Sequence, residues 1–191
     1  MVRLGGRDPV GAEQDAEQGL QLARPVGDPQ LLGSILEFAA FVFDSVGNER
    51  RAVETLEETL ALMRELGQLG WVVVPAWASA WVAWRHGRAA EFLDIVRDEP
   101  LDSPWLTGAR AIAVGDFAQA ADIFDEMGAP PLEAFFRLRA AEAFVAEDRR
   151  AEADEQLRAA LAFYRGVRAT RYVREGEELL AGVRLREREQ R

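Results

Sequence analysis

Few side chains in this chain are able to do covalent chemistry. There is one histidine, His86, and there are four serines, Ser34, Ser45, Ser79 and Ser103; cysteine and lysine are absent, and all 23 basic residues are arginine. A serine nucleophile needs a base within hydrogen-bonding reach. Ser79 and His86 stand two helical turns apart on one face, a rise of roughly 10 Å, which is too far for that bond. His86 precedes the turn residue Gly87 and reads as a helix C-terminal residue favoured by the helix dipole. Without cysteine there are no disulfides, thiolate metal sites or thiol nucleophiles. Without lysine there is no Schiff-base chemistry and no phosphate loop of the Gly-x-x-x-x-Gly-Lys-Ser/Thr type. A single histidine and the lack of a calcium-loop pattern predict no metal and no cofactor. Acidic pairs such as Glu54 with Glu58 and Glu177 with Glu178 fall on polar faces, whereas acid–base catalysis needs two carboxyls in different environments of a cleft. The reading is a chain that is not an enzyme.

The residues left with binding chemistry are aromatic. Trp77, Trp81 and Trp84 are spaced i, i+4, i+7 and share a helical face. A large rigid ring buries much area and still offers an N–H donor, which is why tryptophan concentrates binding energy. The same spacing also suits residues that fill a core between helices, and both readings stand at this point.

These side chains must be positioned by helices. Ala, Leu, Glu, Gln and Arg dominate with helical spacing, and Gly and Pro fall between the periodic stretches. The pattern predicts helices at about 9–24, 28–46, 49–66, 71–85, 88–97, 103–114, 117–127, 132–147, 149–165 and 170–185, with a fraying Arg/Glu-rich end. Asp28 before Pro29 and Ser103 before Pro104 are predicted N-caps. A spacing signature recurs four times. Turn residues Gly47, Gly87, Gly115 and Asp148 are each preceded by a very small residue (Ala40, Ala80, Gly108, Ala141) and followed by a bulky apolar one (Leu56, Val96, Phe124, Leu157). Ala52, Phe92, Ala120 and Ala153 occupy an intermediate position. A small residue allows two helices to approach closely, and the bulky one fills the remaining space. The fold predicted is all-α, a single array over 1–191 with helical pairs at about 28–67, 70–99, 103–128 and 130–167, plus one extra helix at 9–24 and one at 170–185. The leading helix has an apolar face and no polar cap, as the second helix of a missing pair would, so the chain is expected to begin inside a longer array.

Composition narrows the partners. The chain has 191 residues, 49% of them hydrophobic, and a net charge of −10, which repels phosphates and makes nucleic acid and anionic membranes poor partners. Arg149-Arg150 and Arg184, Arg186, Arg188 and Arg191 interleave with glutamates and read as helix-surface ion pairs. The apolar stretch 71–84 is too short to span a bilayer, and no secretory core follows Met1; the cytoplasm is the expected location.

The segment from Gly115 to Phe124, Gly-Asp-Phe-Ala-Gln-Ala-Ala-Asp-Ile-Phe, resembles the inter-helix turn and second helix of tetratricopeptide repeats, and the small residues at 40, 80, 108 and 141 match that family's small position. The aromatic expected early in the first helix is replaced by Leu36, Ala76, Pro104 and Arg137, and the unit-ending proline is matched loosely by Pro100 and Pro130. Residues 129–181, including 133–143, 149–153 and 169–177, are similar to the C-terminal end of large actinobacterial signalling ATPases, which join a nucleotide cyclase-like or LuxR-type DNA-binding module, an ATPase module and a helical-repeat tail. The resemblance implies right-handed stacking of hairpins whose first helices line a concave surface. It places Phe41, Trp77, Trp81, Trp84, Trp105 and Phe135 there, with Glu37, Asp44, Arg85 and Glu142 beside them, as a groove for a protein or peptide. It further implies a tetratricopeptide-like protein-interaction or sensory scaffold within a signalling or transcriptional regulator, with an upstream ATPase module as one partner. The alternative is a structural oligomerisation domain, a homodimer that buries the uncapped leading helix against another copy.

Overall fold

A computed structural model describes residues 8–67, 74–99 and 103–189, and every regular element in them is helical. The chain divides into two compact units, Met1–Gly115 and Asp116–Arg191. The boundary falls in the third expected hairpin, at its Gly115-Asp116 turn.

The first unit holds α1 (Pro9–Ala23), a 3-10 turn (Arg24–Val26), α2 (Pro29–Ser45), α3 (Glu49–Leu66), α4 (Ala76–Arg85), α5 (Ala89–Val96) and α6 (Pro104–Ala113). Asp8 caps α1 by accepting from Gly11 N at 2.8 Å, and Asp28 caps α2 by accepting from Gln30 N at 2.8 Å. Ser103 occupies the N-cap position of α6 but makes no side-chain capping bond, and Pro104 starts the helix without one. The α4 helix begins at Ala76, after a turn at Val74–Pro75; the expected start at 71–73 lies outside the described residues, as do Gly70 and Pro100.

Three sets of polar contacts order these helices. Glu13 meets Asn48 (2.6 Å), Glu17 meets Arg51 (2.7 Å) and Glu58 meets Arg24 (2.7 Å), at separations of 35, 34 and 34 residues, so α1 and α3 run parallel. Arg88 on Glu57 (2.9 Å) and Arg64 on Glu91 (3.5 Å) make α3 and α5 parallel as well. Ser79 on Glu37 and His86 on Asp44, both 42 residues apart, do the same for α2 and α4. Helix α4 packs against α2, α3, α5 and α6 at once. Every residue from Ala76 to Ala83 is buried in consequence, and this stretch carries no charge.

The second unit holds α7 (Phe117–Glu126), α8 (Pro130–Ala146), α9 (Arg150–Gly166) and α10 (Thr170–Glu189), the last running four residues beyond the expected end. Phe136 of α8 stacks with Phe124 (5.6 Å) and Phe117 (6.2 Å) of α7. A core of Ala134, Leu138, Ala141, Leu157, Ala160 and Tyr164 joins α8 to α9, and Tyr172, Val173, Leu179 and Leu180 of α10 pack against it. Gly176 brings α10 so near α9 that an added Cβ would stand 2.8 Å from Leu161 Cδ2.

The spacing signature reappears as a pattern of burial. Ala40, Ala80 and Ala141 have no solvent exposure and Gly108 is buried; Leu56, Val96, Phe124, Leu157, Ala52, Phe92, Ala120 and Ala153 are likewise fully buried. All four turn residues adopt positive φ: Gly47 +85°, Gly87 +69°, Gly115 +81° and Asp148 +61°. That conformation lets the next N–H reach back over the helix end, as in Asn48 N to Phe43 O (2.9 Å), Arg88 N to Ala83 O (2.7 Å) and Arg149 N to Phe144 O (2.8 Å).

Candidate interaction site

The aromatic residues of the first unit are organised by two carboxylates on the inner face of α2. Glu37 and Asp44 are spaced i, i+7, so both point at α4. Glu37 is fully buried: its Oε1 accepts from Ser79 Oγ–H at 3.3 Å, and its Oε2 makes no hydrogen bond among the described residues. Burial pushes this carboxyl well above the usual carboxylate range, and the Ser79 bond opposes the shift without cancelling it. Asp44 is the better-served group. Trp81 Nε1–H donates to its Oδ2 at 3.1 Å, His86 Nε2 lies 3.0 Å from Oδ1, and Arg85 Nε lies 3.3 Å from the same atom. Ser79 and His86 therefore serve different carboxylates and do not meet as a nucleophile and base.

Around this polar spine the rings pack edge to face and in stacks. Trp77 takes Phe41 at 4.9 Å and Phe38 at 6.2 Å, both in edge geometry. Trp81 stacks on Trp84 at 5.6 Å, and the Arg85 guanidinium lies 5.8 Å from the Trp81 ring centre. The far side of Trp84 rests on the next turn, where a Cβ on Gly115 would come 3.0 Å from its Nε1.

The expected groove residues thus separate. Phe41, Trp77 and Trp81 are buried and act as packing in the first unit. Phe135 is buried in the second unit, in edge contact with Phe136 (5.0 Å) and with the Arg139 guanidinium 5.3 Å from its ring centre. Glu142, half-buried, pairs with Arg139 at 3.2 Å. Trp105 is half-buried on α6. Trp84, 39% exposed, and the exposed Arg85 are the ones open to solvent. Two accessible residues escaped the sequence reading, Phe38 and Leu31, each 40% exposed on the outer side of α2. Their signal was present: apart from Glu37 and Asp44, both on one face, α2 has no charge, so apolar residues must continue around to its other side.

Among the described residues no group of three His, Cys, Asp or Glu is placed to hold a metal ion, and no helix is long and apolar enough to cross a membrane. Comparison with known proteins returns no matching family model, curated sequence or solved structure.

Proposed function

We propose that the chain is a non-catalytic protein-interaction or sensory module of a bacterial signalling or transcriptional regulator, built from hairpins stacked in the manner of tetratricopeptide repeats. Parallel running of α1 with α3, α3 with α5 and α2 with α4 supports the stacking, because translation of a hairpin keeps equivalent helices in the same direction. The regulator class rests on the resemblance of residues 129–181 to the tails of actinobacterial signalling ATPases. The partner is a protein or peptide, with an ATPase module of a longer parent as one candidate, and the place of action is the cytoplasm.

The observation that carries binding is Trp84. It follows directly on the buried run Ala76–Ala83, and it is held at the surface between Trp81 and Gly115 with Arg85 alongside. A rigid ring already fixed in place loses little freedom when a partner covers it. The oligomerisation alternative draws no support from α1, since Ala12, Leu20 and Ala23 of its apolar face are buried in its own chain. Selection from a displayed random-peptide library, followed by titration read from tryptophan emission, tests the proposal. Peptides whose affinity falls about tenfold or more in Trp84→Ala, with helicity unchanged, support it. A library that yields no binder, or binders indifferent to Trp84→Ala and to substitution of Phe38, overturns it.

A further inference from the structure

We infer that the seam between α1 and α2 receives an amphipathic helix with basic flanks from another protein. The inference rests on the reading of the chain as an interaction module and names a surface and a partner for it.

Helix α2 has 17 residues, and its two charges, Glu37 and Asp44, are both turned inward. Its outer side carries Leu31, half-buried Ile35, Phe38 and half-buried Val42, a row at i, i+4, i+7 and i+11. Ile35 leans on α1: its Cγ2 lies 3.5 Å from where a Cβ on Gly19 would stand. Leu22, one turn after Gly19 on the same side of α1, is 65% exposed, and Val26 just beyond is 60% exposed. Leu31, Ile35, Phe38 and Val42 therefore line one side of α2 without a charge among them, and Leu22 of α1 extends the apolar surface beyond Gly19. Such a row has the length and period of another helix's apolar stripe.

Charge decides the occupant. Met1–Gly115 contains seventeen acidic residues against ten arginines. Asp15, one turn before Gly19, and Asp28, the cap of α2, border the seam. A second copy of the chain would bring these carboxylates against their like, and an anionic bilayer would meet the same repulsion. A helix with arginine or lysine beside its apolar stripe meets this acidic border with opposite charge.

Three synthetic helices with one Leu/Phe stripe and flanks of arginine, glutamine or glutamate provide the test, titrated by fluorescence anisotropy against the whole chain. The arginine helix is expected to bind at least about tenfold more tightly than the glutamate helix and to weaken as salt is raised. The double variant Leu31→Ser/Phe38→Ser should lower that affinity about tenfold or more with helicity retained, while Val167→Ser, in the second unit, leaves it nearly unchanged. A photo-cross-linker on the peptide stripe should label residues between 19 and 42 in the unaltered chain, which keeps the test valid if the double variant fails to fold. Equal binding of all three helices, no binding, labelling elsewhere, or a dimer in light scattering that Phe38→Ser dissolves each overturns the inference. If the designed helices fail while library peptides still bind through Trp84, the seam falls and the interaction module stands.

Discussion

Glu37 places a titratable group where water does not reach, and its consequence is a stability that depends on pH. The folded carboxyl holds its proton at pH values where the unfolded chain, with an ordinary value of 4.5, has released it. Its contribution to stability is therefore complete below about pH 4.5 and is lost as pH rises toward the folded value. In urea titrations across that range, Glu37→Gln should gain stability relative to the unaltered chain as pH increases; identical pH profiles would mean that Glu37 is not buried as described. Backbone strain gives a second residue-scale expectation. Arg168 adopts φ +57° just after α9, a conformation that costs a non-glycine residue roughly 1–2 kcal/mol, part of which glycine returns through its own entropy. Arg168→Gly should stabilise by about 0.5–1 kcal/mol, seen as a rise in Tm of a few degrees. Asp148, at φ +61°, should gain less from glycine, because Asp tolerates this region better and its Oδ1 accepts from Arg150 at 2.9 Å. Gly115→Ala meets both obstacles, a φ of +81° and the Trp84 ring at 3.0 Å, and should shift tryptophan emission as well as lower Tm.

At the scale of elements, the question is what holds the outlying helices. Helix α1 is joined to α3 by half-exposed ion pairs, each of which contributes roughly 0–1 kcal/mol, and to its neighbours by fully buried Leu20. Leu20→Ala should cost about 2–5 kcal/mol and Glu17→Gln less than about 1 kcal/mol in chemical denaturation. On α10, Gly176→Val forces the side chain into Leu161 and should cost about 1–3 kcal/mol, with Leu161→Ala relieving part of the loss in a double-mutant cycle. These elements were largely legible in the sequence. Turn residues, prolines and the Asp28 cap mark helix ends through local backbone chemistry that needs no tertiary partner. The start of α4 was less legible, because the apolar run across 71–84 has no polar cap to mark a boundary. Ser103 has the residue type of a cap and is followed by proline just as Asp28 is, yet it makes no capping bond, so residue type alone does not foretell which caps form.

Over the whole molecule, the recurring small and bulky positions were legible because closely packed helices need a small residue where they approach and a bulky one to fill the space beside it, and all of them proved buried. The role of the tryptophans was not. The i, i+4, i+7 spacing states that Trp77, Trp81 and Trp84 share a side of α4; whether that side is covered depends on α2, α5 and α6, whose placement no single helix reveals. The open residues Phe38 and Leu31 were hidden for the complementary reason: α2 is apolar on both sides, so periodicity alone does not choose the side turned to solvent. The chain also carries its charge unevenly, most of the acidic excess lying in Met1–Gly115, and this unit is where a cationic partner would be drawn. The enclosure of α4 sets a timescale as well as a structure. With packed helices on every side of Ala76–Ala83, no local opening admits deuterium to its amides, so they should exchange only when the surrounding unit comes apart, long after those of α1 have equilibrated with solvent.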